Sequence, residues 1–266
     1  LEKARELDAD CLILDLEDAV APEAKEMARS EAAAAARAGY GNREVIIRTN
    51  GIETEWFKDD AAAVAGSNAD AVLLPKVESA AAVNDALRQL ATAGAPSDLP
   101  VWVMTETPRG VLDLEKILTS CQEIRVIVMG TSDLAKELRA PNSGDRAGLL
   151  HSLGHCLLTA RAHGLDIIDG VHLALDDADG FRTACQQGHD LGFDGKSLIH
   201  PRQIATANEL FGVSEAAAED ARAIVQAWEL ARKEGQGITV LNGRLIERLH
   251  VDEAERVLAL HAAANE

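Results

Sequence analysis

Charged residues recur at one kind of place in this sequence, directly after short apolar runs. The segments that follow those runs read Asp15-Leu16-Glu17-Asp18, Arg48-Thr49-Asn50, Pro75-Lys76-Val77-Glu78, Thr105-Glu106-Thr107-Pro108-Arg109, Gly130-Thr131-Ser132-Asp133 and Asp169-Gly170-Val171-His172. A carboxylate just beyond an apolar strand is well placed to converge with its neighbours, although any single one can also cap a helix. Glu106 and Asp133 follow two consecutive runs, so their carboxylates should be adjacent. Two adjacent acids need a cation, and hard oxygen ligands without His or Cys suit Mg²⁺, which keeps waters and takes one or two carboxylates plus substrate oxygens. Glu17 and Asp18 could then hold the waters of such an ion. Arg48 could pair with an anionic substrate, or form a salt bridge to Glu17 or Glu106. His151 and His155 stand at i, i+4, but no H-E-x-x-H motif surrounds them, and they read as surface helix residues.

The elements that must position these residues follow from periodicity. Strand-length apolar runs span Cys11 to Leu16, Glu44 to Arg48, Ala71 to Val77, Val101 to Thr105, Arg125 to Met129, Ile167 to Leu173 and, more weakly, Phe193 to Ile199. Helix-compatible segments lie between them: Pro22 to Ala38, Glu55 to Ala65, Ser79 to Ala93, Gly110 to Ser120, Gly148 to His163, Ala178 to Leu191 and Pro201 to Leu210. Strands this apolar are buried on both faces, and alternation with crossover helices implies a parallel sheet, so the class is α/β. Seven strands fall one short of a (β/α)₈ TIM barrel, whose function gathers where strands end. Because the chain opens in helix-like Leu1 to Leu7, the first strand is expected to be missing from it. The rival is an open doubly wound sheet, but no G-x-G-x-x-G follows any strand. Gly192-Phe-Asp-Gly195-Lys196-Ser197 imitates the end of a P-loop, yet Asp190 stands where that motif needs glycine. Gly235-Gln-Gly237 reads as a hinge, dividing a barrel domain, 1–234, from a C-terminal tail, 235–266, that acts as a lid and holds a helix over Ala254 to Ala264.

Composition limits the partners. The 266 residues carry 26 Lys and Arg against 44 Asp and Glu, a formal net charge of −18, and only 3% are aromatic. Such a chain repels phosphate backbones and lacks stacking platforms, which argues against nucleic acid. Cys11, Cys121, Cys156 and Cys185 form no C-x-x-C pair and read as reduced structural thiols. No run approaches the roughly 20 apolar residues of a membrane helix, so no membrane partner and a cytoplasmic location are expected.

Six motifs together go further. Leu14-Asp-Leu-Glu-Asp-Ala-Val-Ala-Pro22, Ile47-Arg-Thr-Asn50, Leu74-Pro-Lys-Val77, Glu106-Thr-Pro-Arg-Gly110, Gly130-Thr-Ser-Asp-Leu134 and Gly195-Lys-Ser-Leu-Ile-His-Pro201 occur in order across most of the chain. The series closely resembles the citrate lyase β-subunit-like (CitE-like) branch of the HpcH/HpaI aldolase family. That resemblance implies a Mg²⁺-dependent lyase of 3-hydroxyacyl-CoA thioesters, often a homotrimer of modified TIM barrels. It implies Glu106 and Asp133 as metal ligands, Glu17 and Asp18 as water-holding acids, Arg48 as the substrate arginine, and the backbone of Gly130, Thr131 and Ser132 as the seat of a keto-acid carboxylate. In the tail, Leu241-Asn-Gly-Arg-Leu-Ile-Glu-Arg248 is similar to a family segment ending Met-Ile-Asp, whose Asp is the catalytic acid/base and is often donated by a neighbouring subunit. Here that position is Glu247.

The expected activity is therefore carbon-carbon cleavage of a citryl-, malyl- or citramalyl-CoA type thioester to a 2-keto acid and an acyl-CoA. Arg48 would balance charge developing on oxygen, and Glu247 would act as base with its acidity tuned by burial. Alternatives on the same site are a malyl-CoA thioesterase, a class II aldolase on free keto acids, and a non-catalytic paralogue that binds CoA or keto acids.

Overall fold

The computed structural model describes residues 1–141 and 144–264. All seven expected runs are strands: β1 (Cys11–Asp15), β2 (Glu44–Arg48), β3 (Ala71–Leu74), β4 (Val101–Thr105), β5 (Ile124–Met129), β6 (Asp166–Asp169) and β7 (Gly195–Lys196). They form one parallel sheet in chain order, β1 to β7, without the reversal that defines a doubly wound sheet. Helices α1 (Lys25–Ala38), α2 (Phe57–Ala65), α3 (Ala80–Ala93), α4 (Pro108–Ser120), α5 (Thr131–Leu138), α6 (Leu150–Ala162), α7 (Ala178–Leu191) and α8 (Ile204–Phe211) follow, the first seven between the strands. β1 and β7 are the edges of the sheet, and no eighth strand joins them among the described residues.

Burial explains why the runs are so apolar. On one face Ile46, Ala71, Leu73, Trp102, Met104, Val126 and Val128 make a single cluster, with Cys11, Ile13 and Ile168 packed against it. Side chains from six successive strands can meet in one cluster only on a concave face, so the sheet is curled as a half-barrel. On the other face Val45, Ile47, Val72, Val103, Ile127 and Ile167 are buried as well. β3 stops at Leu74 because Pro75 has no N–H for the ladder. Side-chain caps start several helices: the oxygens of Ser79, Thr107 and Asp177 accept from the amides of Ala82, Gly110 and Gly180.

The chain divides into two compact units, Leu1–Ala205 and Thr206–Glu266. In the second, α9 (Glu215–Lys233), an antiparallel hairpin of β8 (Thr239–Leu241) and β9 (Arg244–Ile246), and α10 (Arg248–Ala263) enclose Trp228, Ile246 and Val251. Arg244 forks onto Asp220 at 2.7 and 2.8 Å, tying the hairpin to α9. Two sequence expectations are corrected here. The opening helix is a 3-10 turn, Glu2–Glu6. The tail helix begins at Arg248, six residues before Ala254. Just past the Glu234 cap of α9, Gly235 takes φ +76°, and Gln236 N–H donates to the Ala231 carbonyl. The four cysteines are unpaired, and Cys121, Cys156 and Cys185 are buried.

Two carboxylates, Asp15 and Asp169, anchor ion pairs at the strand ends of the sheet. Asp15 and Arg48 are cross-strand partners, and the guanidinium grips the carboxylate through Nε and Nη2, each at 2.6 Å. Behind β6 and β7, fully buried Asp169 accepts from Arg146 Nη1 at 2.7 and 2.8 Å and from Lys196 Nζ at 2.7 Å. Lys196 also donates to the Gly170 carbonyl at 2.6 Å. One carboxylate thus joins Arg146, β7 and the start of the β6–α7 connection. Asp169→Ala leaves two cations buried without their anion and should cost about 3–5 kcal/mol in urea unfolding.

Asp15 gives a pH signature. Burial alone would raise its carboxyl, but Arg48 and the amides of Glu17 and Ala19 outweigh that and hold it below the ordinary range. A depressed folded-state value contributes stability above the unfolded value of about 3.9, and that stability is lost as pH falls through the folded one. Asp15→Asn should therefore be less stable than wild type at pH 7 by about 1–3 kcal/mol. The gap in urea midpoints should close below about pH 4.

Candidate active site

The rim at the carboxyl ends of β1 to β5 is built strand by strand. After β1, buried Lys25 of α1 donates to the carbonyls of Leu16 and Glu17, both at 2.7 Å, and lies over the Trp56 ring. That ammonium fixes the backbone from which Glu17, itself buried, points into the rim, while Asp18 is exposed. After β2, the buried Asp60 carboxylate accepts from the backbone and side-chain nitrogens of Asn50 at 2.8 and 2.7 Å, and from Arg29 Nε at 2.9 Å. This sets the turn that follows Arg48.

After β3 the chain takes an unusual step. Lys76 has φ +51°, a left-handed conformation that costs a residue with a side chain roughly 1 kcal/mol. The turn aims the Lys76 amide at Glu106 Oε1, 2.7 Å away, and sends its ammonium to Glu17 Oε1, 2.8 Å away. Gly110 permits it, since a Cβ there would lie 2.5 Å from the Val77 carbonyl oxygen. After β4 comes Glu106, buried at the head of α4. After β5 comes Gly130, where any Cβ would overlap the Glu106 side chain, so glycine is what lets β5 pass behind that carboxylate. Gly130 caps α5 without a side-chain acceptor, which leaves amides at the start of that helix, over Thr131 and Ser132, open to an anion. Asp133 stands in the first turn of α5.

The electrostatics follow from crowding. Glu106 is pushed up to about 7, chiefly by burial, with the charges of Glu17 and Asp133 adding and the Lys76 amide opposing. Burial also raises Glu17, against Lys76 and Arg48. Glu17 Oε2 is buried with no hydrogen-bond partner; Arg48 Nη1 lies 3.2 Å away but is not aligned for one. No three His, Cys, Asp or Glu side chains form a ready metal cage among the described residues. A pair of carboxylates with an orphaned buried acceptor beside it nonetheless fits Mg²⁺, which brings its own waters.

Measured against the sequence, the structure brings Glu17, Asp18, Arg48, Glu106 and Asp133 onto one rim with Gly130, Thr131 and Ser132. Glu247 is at the N-cap of α10 in the second unit, exposed, its N–H donated to His250 Nδ1 at 3.1 Å. The burial expected to tune it is not provided by its own unit. His151 and His155 stack on α6 and gather no third ligand among the described residues. Sequence reasoning gave no role to Asp15 or Lys76, although both stand in the strand-end segments. The signal for Asp15 was parity: Cys11, Ile13, Asp15 and Glu17 alternate on one face of the strand, and Asp15 faces Arg48 in register.

Residues 1–201 match the family model for HpcH/HpaI aldolase/citrate lyase. The chain is 48% identical to a (3S)-malyl-CoA thioesterase of Cereibacter sphaeroides over 97% of its own length and 89% of that protein. It is 33% identical to the citrate lyase subunit beta of Leuconostoc mesenteroides subsp. cremoris, covering 95% and 85% of the two chains. The crystal structure of CitE from Mycobacterium tuberculosis in complex with magnesium, acetoacetate and coenzyme A superposes with a TM-score of 0.74 at 29% identity, over 96% of this chain and 91% of that one. The half-barrel, its strand-end acids and these matches agree: the chain belongs to the HpcH/HpaI aldolase/citrate lyase family, in its CitE-like branch.

Proposed function

We propose that this protein is a Mg²⁺-dependent enzyme acting on a malyl-CoA type 3-hydroxyacyl-CoA thioester. The observation that carries the reading is the crowding of Glu106, which burial, Glu17 and Asp133 together make short of positive charge, beside the open amides of α5. Glu106 and Asp133 would hold the ion, and Glu17 and Asp18 would accept hydrogen bonds from water next to it. Bound there, Mg²⁺ supplies Lewis acidity toward the substrate's hydroxyl and carboxylate oxygens. The amides of Thr131 and Ser132 orient the carboxylate; that of Gly130, expected from the sequence to share this role, is already donated to the Thr105 carbonyl at 3.1 Å. Arg48 meets developing negative charge through Nη1, because its Nε and Nη2 edge is taken by Asp15. Glu247 moves the proton.

Two reactions share this machinery. Thioester hydrolysis adds water across the C–S bond and releases the hydroxy acid and CoA thiol. It stands second in the sequence reading and moves ahead here, supported by the thioesterase likeness over nearly the whole chain. Carbon-carbon cleavage, in which loss of the hydroxyl proton breaks the C2–C3 bond to give a 2-keto acid and an acyl-CoA enolate that is then protonated, is supported by the citrate lyase likeness. A homotrimer, a cytoplasmic location, the 1–234 and 235–266 division and a lid role for the tail stay part of this proposal. No helix among the described residues is long and apolar enough to cross a membrane.

Incubation with Mg²⁺ and (3S)-malyl-CoA separates the readings. Hydrolysis yields free thiol and malate with no glyoxylate, and cleavage yields glyoxylate and acetyl-CoA with no free thiol. Binding of the thioester without either product would leave the non-catalytic paralogue. For the metal, Glu106→Gln should remove detectable Mg²⁺ binding in calorimetry while circular dichroism stays that of wild type; unchanged affinity would take Glu106 out of the site.

A further inference from the structure

Three cationic side chains border the rim acids, and each is held differently. Lys25 is buried and committed to two backbone carbonyls. Arg48 is gripped through two nitrogens by Asp15, its side chain only 17% exposed. Lys76 is 47% exposed, ends a flexible four-carbon stem, and places its ammonium 2.8 Å from Glu17 Oε1 and 3.9 Å from Asp18 Oδ1. Those are the acids proposed above to hold water beside the metal. We infer that Lys76 is a resident counterion, which occupies the carboxylate cluster in the metal-free protein, is displaced when a divalent cation loads, and so sets the metal affinity of the site. The inference rests on the metal reading of Glu106 and Asp133.

The geometry separates what moves from what stays. The Lys76 amide is fixed on Glu106, and its backbone is held between Pro75 and the Val77 carbonyl that Gly110 lets α4 approach. The ammonium can therefore leave without disturbing Glu106. A half-exposed lysine pair is weak and easily opened, and a strongly hydrated ammonium re-enters water readily. A divalent ion arriving among the same carboxylates repels it. Arg48 cannot make this move, because leaving would strip Asp15 of its partner.

Two measurements test it on the full chain. Mg²⁺ titration by calorimetry at low salt should show Lys76→Met binding about fivefold tighter than wild type, with charge-keeping Lys76→Arg close to wild type. Acylation of Lys76 by an amine-reactive ester, read by peptide mass spectrometry, should speed up severalfold when Mg²⁺ is added. Equal or weaker affinity in Lys76→Met, or labelling that Mg²⁺ leaves unchanged or slows, would overturn the counterion while leaving the metal site standing. Absence of Mg²⁺ binding in both wild type and Lys76→Met would overturn the metal reading and this inference with it.

Discussion

Negative charge forced together at low exposure is the condition around which this rim is organised. A parallel sheet in chain order delivers every strand's carboxyl end to one side, and here Glu17, Asp18, Glu106 and Asp133 arrive there, Glu17 and Glu106 buried. Unpaired buried carboxylates are costly. The compensation is partial and specific: Arg48 is nearly neutralised by Asp15, Lys76 supplies one half-exposed charge, and one backbone amide reaches Glu106. What remains is a deficit of positive charge at one place, which is the physical ground for the proposed cation site.

The scaffold devotes irregular features to that deficit. A left-handed lysine is an unfavourable way to turn a chain, and here it points two donors at two different acids. Gly110 and Gly130 are used for what they lack, since side chains there would strike the Val77 carbonyl and Glu106. Lys25, buried among carbonyls, holds the Glu17 backbone. These are local departures from regular structure, paid back by the regular sheet beneath, where Ile46, Leu73, Val103 and Ile127 are almost fully buried.

Most of the sheet was legible in the sequence because its strands are apolar on both faces, and a run such as Ala71 to Leu74 has no competing reading. The acids were legible because they interrupt apolar runs at their ends. Helix α9 was unread although its period is present: Ala218, Ala221, Ile224, Val225, Trp228 and Ala231 recur at three and four residues behind the Ser214 cap. Alanine at three of those six positions made the stripe faint. Lys76 was not legible in principle, because nothing in its residue type announces φ +51°; the conformation follows from Pro75 before it and from the approach of α4. The Asp15–Arg48 pair needed strand register, which only the folded sheet supplies.

In the proposed reading, which bond breaks turns on a part of the chain unlike the rim. Glu247 belongs to a unit with its own small core, where Asn242 and Gly243, both at positive φ, turn the hairpin tightly and Ile246 is buried immediately before it. Its backbone is therefore fixed by the hairpin-helix junction, and freedom is left to the side chain alone. In the proposed reading the rim selects the hydroxy-acid end of a substrate in either reaction, since the proposed metal ligands, the arginine and the helix amides would all address the same oxygens. Hydrolysis and carbon-carbon cleavage differ in where the proton-moving group must stand, beside water at the thioester carbonyl or beside the hydroxyl. A carboxylate one methylene longer than aspartate reaches about 1 Å further from the same backbone, enough to change which of those positions it serves. In the proposed reading, the groups that address the substrate oxygens and the carboxylate that moves the proton belong to separate compact units of the chain, so one set can change in sequence while the other is kept.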